Sequence, residues 1–261
     1  MAFESASRMA EITIHRIQRS IRVQISSTTF FSTPIYKVKI YSIGFVLLLL
    51  TFQAMTLRAQ PADIGNWYIY FGNQALNEKW NWHNEVQYRN FNLGGDLEQL
   101  LLRTGIGYNL EPNNHNVLLG YAFIRAEPYI SGTDNRRVVD EHRIFEQYIF
   151  RQRLGALFIT HRVRAEQRIF QDDFRQRFRY FLFLNYPLNQ GTMTKGTIYG
   201  STYAEIFING ERNLYDRTRL YLAVGYAFSD YIRVEIGFMS QVFSTTSREQ
   251  FQVVLFNNLP F

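Results

Sequence analysis

The sequence contains no cysteine among its 261 residues. This absence excludes a disulfide framework, a cysteine-ligated zinc site and thiol chemistry. Proline-rich linkers, low-complexity runs and heptad repeats are also missing, so the composition does not predict a coiled coil or a chain of many small domains. A single domain of roughly 200 residues after an N-terminal leader fits this composition.

Lysine is scarce beyond residue 59, where only Lys79 and Lys195 occur. Residues 1–59 hold seven of the 28 Lys and Arg residues and two of the 22 Asp and Glu residues, which leaves 21 basic and 20 acidic residues. The basic balance of the chain therefore comes from its leader and does not indicate a nucleic-acid partner. Arginine forms bidentate pairs with carboxylates and keeps its charge when partly desolvated, so we expect enclosed ion-pair networks.

The N-terminal part of the chain has the pattern of a secretory leader. Lys37 and Lys39 precede an apolar segment at about 43–57, which ends at the small residue Ala59. An apolar core of about 10–15 residues is too short to span a bilayer comfortably. A basic region, a short apolar region and a small residue at the cleavage point are typical of a signal peptide. We predict a leader over residues 1–59 and an exported domain over residues 60–261.

Charged and apolar residues alternate along the middle of the chain. In residues 162–169 the even positions carry the charges, and in residues 175–186 Arg175, Arg177 and Arg179 occupy one parity while aromatic and aliphatic residues occupy the other. Successive side chains of a strand point to opposite faces, so this period of two predicts strands with one charged wall and one apolar wall. A soluble sandwich would bury the apolar wall, whereas a transmembrane barrel would turn it to lipid.

Two further features favour the barrel. The 17 tyrosines and 23 phenylalanines are many for this length, and aromatic girdles flank the lipid-facing band of outer-membrane barrels. The chain also ends in an amphipathic segment that resembles the C-terminal insertion signal of such barrels, which the barrel-assembly machinery reads. The residues of this segment that carry the signal are Phe251, Val253, Leu255, Leu259 and Phe261.

The predicted fold is all-β: a single antiparallel transmembrane β-barrel of 10–12 strands in the bacterial outer membrane, preceded by a signal peptide. Eleven alternating segments can be counted, yet bacterial single-chain barrels have an even number of strands. Either the Trp67 segment lies outside the wall, which gives ten strands, or a further strand lies in the 126–141 region, which gives twelve. The second alternative is favoured slightly.

Several motifs of the chain resemble a known family. They are Gly65-Asn66-Trp67-Tyr68, the segment Gln99 to Tyr108, Glu141-His142-Arg143-Ile144, Arg162-Val163-Arg164-Ala165-Glu166-Gln167-Arg168 and Gly225-Tyr226-Ala227-Phe228. With them the chain resembles, over nearly all of residues 65–261, small bacterial outer-membrane β-barrels that are known only as a domain of unknown function. The resemblance implies a barrel in the outer membrane and implies no activity.

No catalytic site is predicted. His142, His161 and Ser201 are the candidate residues for a hydrolase site at the rim, but the sequence has no Gly-x-Ser-x-Gly or His-Glu-x-x-His motif. The histidines are more typical of girdle or lumen positions. We expect no enzymatic activity, no metal and no cofactor, and an outer-membrane hydrolase is the least favoured alternative.

The alternation instead predicts a charged network that faces the lumen. Its expected members are Arg162, Arg164, Glu166, Arg168, Arg175, Arg177, Arg179, Glu146, Glu205, Arg217, Arg219, Arg233 and Glu235. If the carboxylates neutralise the arginines, the protein is a structural or ligand-holding barrel with a largely filled lumen, and a small anionic ligand is the candidate occupant. If they do not, a passive anion-preferring pore is the alternative. The remaining expected partner is outer-membrane lipid.

Overall fold

The described residues of the computed structural model are 64–111, 114–211 and 213–260, and they form eleven strands. The strands are β1 (Gly65–Ala75), β2 (Trp80–Asn90), β3 (Leu97–Glu111), β4 (His115–Ala126), β5 (Val139–Leu154), β6 (Leu157–Ile169), β7 (Phe174–Pro187), β8 (Ile198–Asn209), β9 (Tyr215–Ala227), β10 (Ile232–Val242) and β11 (Ser247–Asn257). Each strand pairs with its sequence neighbours and the sheet closes on itself. The predicted all-β barrel is thus confirmed. Among the described residues no helix is long and apolar enough to cross a membrane.

The barrel closes through a parallel pair. β1 runs alongside β11 from Gly65 opposite Gln250 to Gly72 opposite Asn257, while the other ten pairs are antiparallel. An odd number of strands requires this, because the first and last strands then run in the same direction. The expectations of an even count and of an entirely antiparallel barrel are therefore wrong.

Both routes to an even count fail for identifiable reasons. The Trp67 segment is β1, and it is hydrogen-bonded to β2 on one side and to β11 on the other. The connection 127–138 contains one isolated bridge, Tyr129 with Arg136, and no strand. The sequence prediction of a leader over residues 1–59 concerns residues outside those that the structure describes.

The strands define two rims. The N-terminal rim is where β1 begins, and it contains the C-terminal ends of β2, β4, β6, β8 and β10. The C-terminal rim is where β11 ends, and it contains the C-terminal ends of β1, β3, β5, β7 and β9. The two ends of the barrel sequence consequently lie at opposite rims.

The outer face of the barrel is apolar and the inner face is charged. Leu119 and Val224 on the outer face are 62 % and 58 % exposed, whereas Arg164 and Glu166 on the inner face are 1 % and 2 % exposed. Water-soluble proteins normally show the opposite arrangement, with arginine and glutamate almost never fully buried unless they are paired. The wall therefore has the polarity that the alternating sequence predicts for a barrel that faces lipid.

Two glycines on the inner face make room for aromatic rings on the adjacent strand. A Cβ atom at Gly120 would collide with the ring of Phe145, and one at Gly225 would collide with the ring of Tyr199. Phe145 and Tyr199 are both buried. These glycines let large rings lie flat against the wall, so that the rings become part of the lumen's lining.

The C-terminal strand is shorter than predicted. β11 ends at Asn257, whose side-chain Oδ1 accepts a hydrogen bond from the backbone N–H of Leu259 at 3.0 Å. This Asx turn ends the ladder before Pro260, which has no N–H to donate. The predicted signal residues divide as follows: Phe251, Val253 and Leu255 lie on the outer face of β11, Leu259 is exposed beyond it, and Phe261 lies outside the described residues.

Candidate functional site

The inner faces of β6 and β7 carry the centre of the charged network. Glu166 lies opposite Arg177 in the register of these strands. Arg177 Nη2 donates to Glu166 Oε2 at 2.6 Å, and Arg179 Nη1 donates to Oε1 at 2.6 Å. Each carboxylate oxygen is thus held by a different guanidinium, in the charge-assisted geometry that lets buried ion pairs persist.

Glu205 on β8 extends the network to a third strand. Its Oε1 accepts hydrogen bonds from Arg179 Nη2 at 2.6 Å and from Arg162 Nη2 at 2.8 Å, and Arg219 Nη1 lies 3.9 Å from its Oε2. Because Arg179 binds both Glu166 and Glu205, the ion pairs form one continuous network rather than separate bridges.

Two carboxylates that the sequence prediction missed complete this network. Glu141 on β5 accepts from Arg168 through both oxygens, at 2.6 and 3.0 Å. Asp216 on β9 accepts from Arg177 Nη1 at 3.2 Å and from Arg217 Nε at 3.0 Å. The contact between Asp216 and Arg177 joins strands that are not adjacent, so no sequence pattern could have revealed it.

Glu146 is the carboxylate that the prediction placed in the lumen incorrectly. It lies on the exposed outer face of β5, where it accepts a hydrogen bond from Gln167 at 3.1 Å. The odd positions Glu141, Arg143 and Gln147 of the same strand are the buried ones. The alternation along β5 therefore indicates that Glu141, and not Glu146, faces the lumen.

Arg175 lies outside the network as well, although its parity is that of Arg177. It is exposed near the N-terminal rim and donates to Asp173 at 2.6 Å, with both side chains about half accessible to solvent. The strand β7 begins at Phe174, and its pairing with β8 begins only at Arg177, so Arg175 has a strand partner on the β6 side alone.

Within the network, eight arginines share four carboxylates. The arginines are Arg143, Arg162, Arg164, Arg168, Arg177, Arg179, Arg217 and Arg219, and the carboxylates are Glu141, Glu166, Glu205 and Asp216. Arginine does not lose its proton in proteins. The lumen is accordingly connected by ion pairs and still carries an excess of positive charge.

Neutral groups support the arginines that the carboxylates do not saturate. Arg164 donates through Nε to Gln147 Oε1 at 2.9 Å, and its guanidinium carbon lies 4.7 Å from the ring centre of Phe145. Arg219 donates to Gln241 at 2.8 Å. Amide oxygens and aromatic faces stabilise a cation without cancelling its charge. The excess charge is therefore held in place rather than neutralised.

One aromatic side chain connects strands of the wall that are not adjacent. Trp67 on β1 has the guanidinium carbon of Arg89 from β2 at 3.8 Å from its ring centre and that of Arg219 from β9 at 5.0 Å. Trp67 also belongs to a buried apolar cluster that includes Tyr221 and Met239. The interior thus has a charged network on β5–β9 and an apolar cluster to which β1 and β9–β11 contribute.

A smaller ion pair lies on the next part of the wall. Glu85 on β2 is opposite Arg103 on β3, and the two buried side chains are in contact. His83 Nε2 lies 3.4 Å from Glu85 Oε2. This group extends the polar lining of the lumen to β2 and β3.

Arg233 and Glu235 face the lumen but take no part in the network. Glu235 accepts from the hydroxyl groups of Ser201 at 3.1 Å and Tyr221 at 3.4 Å, and no arginine of the described residues forms an ion pair with it. Arg233 lies with its guanidinium carbon 5.0 Å from the ring centre of Phe256. The predicted pairing of this acid with the arginine wall is therefore not observed.

The residues weighed as a hydrolase site are not brought together. His142 and His161 lie on the outer face, where they form hydrogen bonds with Tyr121 at 2.6 Å and Tyr180 at 2.8 Å, respectively. Ser201 lies on the inner face and is buried. Over the part of the chain that the structure describes, no three His, Asp or Glu side chains are grouped so that they could hold a metal ion.

Comparison with known proteins gives one match. No curated protein and no solved structure matches the chain. The family described as "Protein of unknown function (DUF2490)" matches residues 64–252, which comprise nearly all of the barrel from β1 to the middle of β11. The chain belongs to this family of proteins with the DUF2490 domain.

Proposed function

We propose that the protein is a bacterial outer-membrane β-barrel with a closed lumen, and that it serves as a structural or ligand-holding barrel rather than as an open channel. The observation that carries this proposal is the reversed polarity of the wall. Phe238 and Ile236 are more than half exposed on the outer face, whereas Arg177 and Glu205 are buried inside. Lipid is the solvent in which such an outer face is stable.

The distribution of aromatic residues supports a membrane setting. On the outer face near the C-terminal rim, His115 stacks on Phe150 with ring centres 4.8 Å apart, and Phe150 stacks on His161 at 5.8 Å. Tyr226 and Phe228 form an edge contact at 4.9 Å near the same rim. Amphipathic rings at the ends of strands are typical of the interfacial girdle of a membrane barrel.

The side chains that form the network also support the proposal of a closed lumen. Eight-stranded barrels are filled by side chains and barrels of 16–18 strands leave a channel, so eleven strands lie between these cases. In this chain, long arginine and glutamate side chains occupy the inner face of β5–β9, and Arg219 reaches Trp67 on β1. Side chains that reach this far into the interior support a lumen that is filled by the side chains of the inner face.

The excess of arginine over carboxylate supports a second candidate function. If the network rearranged to open the lumen, the uncompensated guanidinium groups would attract anions, and an arginine-lined passage would conduct them preferentially. A passive anion-preferring pore is therefore the alternative that the experiment must separate from the closed barrel.

Reconstitution in planar bilayers tests the two candidates. We expect no steady conductance from the wild-type protein. Stable anion-selective channels that disappear in the double variant Arg164→Gln with Arg177→Gln would contradict the closed barrel and support the pore.

Cell fractionation and N-terminal sequencing test the location separately. Recovery from the outer-membrane fraction, with cleavage near Ala59, is expected, and recovery of the intact chain from the cytosol would contradict the proposal.

A further inference from the structure

A cavity of about 270 Å³ lies inside the barrel, in the half that leads to the C-terminal rim. Its lining comes from the inner positions of most strands, including Phe181 and Phe183 on β7, Arg151 near the end of β5 and Val254 on β11. The space is large enough for a small organic molecule.

Cations outnumber anions in the lining. Arg151, Arg162, Arg164 and Arg233 face two carboxylates, Glu205 and Glu235. Glu205 already accepts from Arg162 and from Arg179, which lies outside the cavity lining, and Arg219 Nη1 lies 3.9 Å from it. A ligand that entered this cavity would meet a positive potential, and a negative charge on the ligand would be stabilised.

Several of these cations have unused donors. Arg164 Nη1 and Arg162 Nε are buried and have no hydrogen-bond partner among the described residues, although Arg164 Nη1 lies 3.7 Å from Glu166 Oε1. Arg151 forms no ion pair within the described part of the chain. A buried donor without an acceptor costs about 1–3 kcal/mol. Three guanidinium groups of adjacent strands thus leave donors for an anion.

The neighbouring part of the lining is aromatic. The ring centres of Phe181 and Tyr203 are 5.0 Å apart, and those of Phe181 and Phe183 are 5.6 Å apart. The guanidinium carbon of Arg162 lies 4.1 Å from the ring centre of Phe181. A group of rings beside a group of arginines suits a ligand with an apolar or aromatic body and an anionic end.

We propose that this cavity binds a small carboxylate with an aromatic or short apolar body. The carboxylate accepts hydrogen bonds from Arg151, Arg162 and Arg164, and the body packs against Phe181 and Phe183. This inference rests on the proposed function, a ligand-holding barrel with a closed lumen. It adds the chemical class of the ligand that the barrel would hold.

Calorimetric titration of the folded full barrel in detergent micelles tests the assignment, with probes of matched size. The probes are 3-phenylpropanoate, its neutral amide, the cation 3-phenylpropylamine and inorganic phosphate. We expect the carboxylate to bind at least tenfold more tightly than the amide and the amine. Equal affinity for the carboxylate and its amide would overturn the anion site. Binding of phosphate as tight as that of the carboxylate would overturn the aromatic part.

Variants locate the site. Arg151→Gln and Arg164→Gln should each weaken binding of 3-phenylpropanoate about tenfold or more, and Phe183→Ala should weaken it without affecting the preference for the carboxylate. Arg175→Gln at the N-terminal rim is the matched control and should leave the affinity unchanged. Arg151 is outside the ion-pair network, so Arg151→Gln remains informative if Arg164→Gln fails to fold.

The outcomes separate this inference from the proposed function. Selective carboxylate binding by a protein that conducts ions would retain the binding site and reject the closed lumen. The opposite result is a barrel that shows no conductance and either binds none of the four probes or keeps full affinity in Arg151→Gln and Arg164→Gln. Either form of this result would support the closed lumen and contradict the binding site.

Discussion

The two faces of β6 differ in what stabilises them. Arg164 and Glu166 on the inner face are almost fully buried and depend on partners from adjacent strands, whereas Val163 and Ile169 on the outer face are 49 % and 39 % exposed and have no partner to bury them. The same alternation would suit a soluble sheet with its polarity reversed. Specific pairing between side chains therefore stabilises the inner face, whereas the medium that surrounds the barrel must stabilise the outer face.

Loss of the central carboxylate should be the most damaging change to the inner face. Glu166→Gln leaves Arg177 and Arg179 without the charge that each contacts at 2.6 Å. Removal of one partner from a buried ion pair typically costs about 3–5 kcal/mol. We expect a loss of this size in the free energy of unfolding, measured by denaturant titration in liposomes.

Glu235→Gln is the matched control for that variant. Its carboxylate is equally buried, but its partners are the hydroxyl groups of Ser201 and Tyr221, which an amide oxygen can also accept from. A loss in Glu235→Gln as large as that in Glu166→Gln would show that burial, and not pairing with arginine, sets the cost.

A charge on the outer face should be the next most damaging change. Val163→Arg places a guanidinium group where lipid is proposed, and such substitutions near mid-membrane cost about 2–4 kcal/mol. The same titration in liposomes measures the effect, and Val163→Ala serves as the control for lost side-chain volume. If Val163→Arg is tolerated as well as Val163→Ala, the outer face does not contact lipid.

The inner face could be predicted from the sequence because the period of two is a local property of any strand. It predicts Arg162, Arg164 and Arg179 as residues of one wall, and in the structure Arg164 and Arg179 are buried and Arg162 is half-buried. Glu146 was assigned to the lumen because of its charge alone, although its parity places it outside. Where parity was applied, the assignment to a face agreed with the structure.

The partners of the charged residues and the closure of the barrel could not be predicted in the same way. The contacts of Asp216 with Arg177 and of Arg162 with Glu205 join strands that are not adjacent, and they depend on the register and curvature of the whole barrel. The parallel closure of β1 with β11 is likewise a property of the complete sheet. The local alternation does give eleven segments, which is the observed number of strands, but the expectation of an even count was taken from other barrels and was wrong.

The outward carboxylate should have the smallest effect on stability. Glu146 is exposed on the apolar face and accepts one hydrogen bond, from Gln167. In Glu146→Leu the loss of that bond, worth about 1 kcal/mol, opposes the gain from removing a charge beside lipid. We expect the free energy of unfolding in liposomes to change by no more than about 1 kcal/mol. A larger loss would indicate that Glu146 contacts another protein in the membrane.

The parallel seam has a consequence for the order of assembly. Asn257 Nδ2 donates to Tyr70 Oη at 3.1 Å although 187 positions of the chain separate the two residues. The other pairs are hairpins or connect consecutive strands, so they can form while the chain is still being delivered. Until β11 arrives, β1 presents a row of unpaired N–H and C=O groups, the kind of edge to which other strands add. Protection of β1 is therefore needed for as long as the final strand is absent, and that duration depends on the length of the entire barrel sequence.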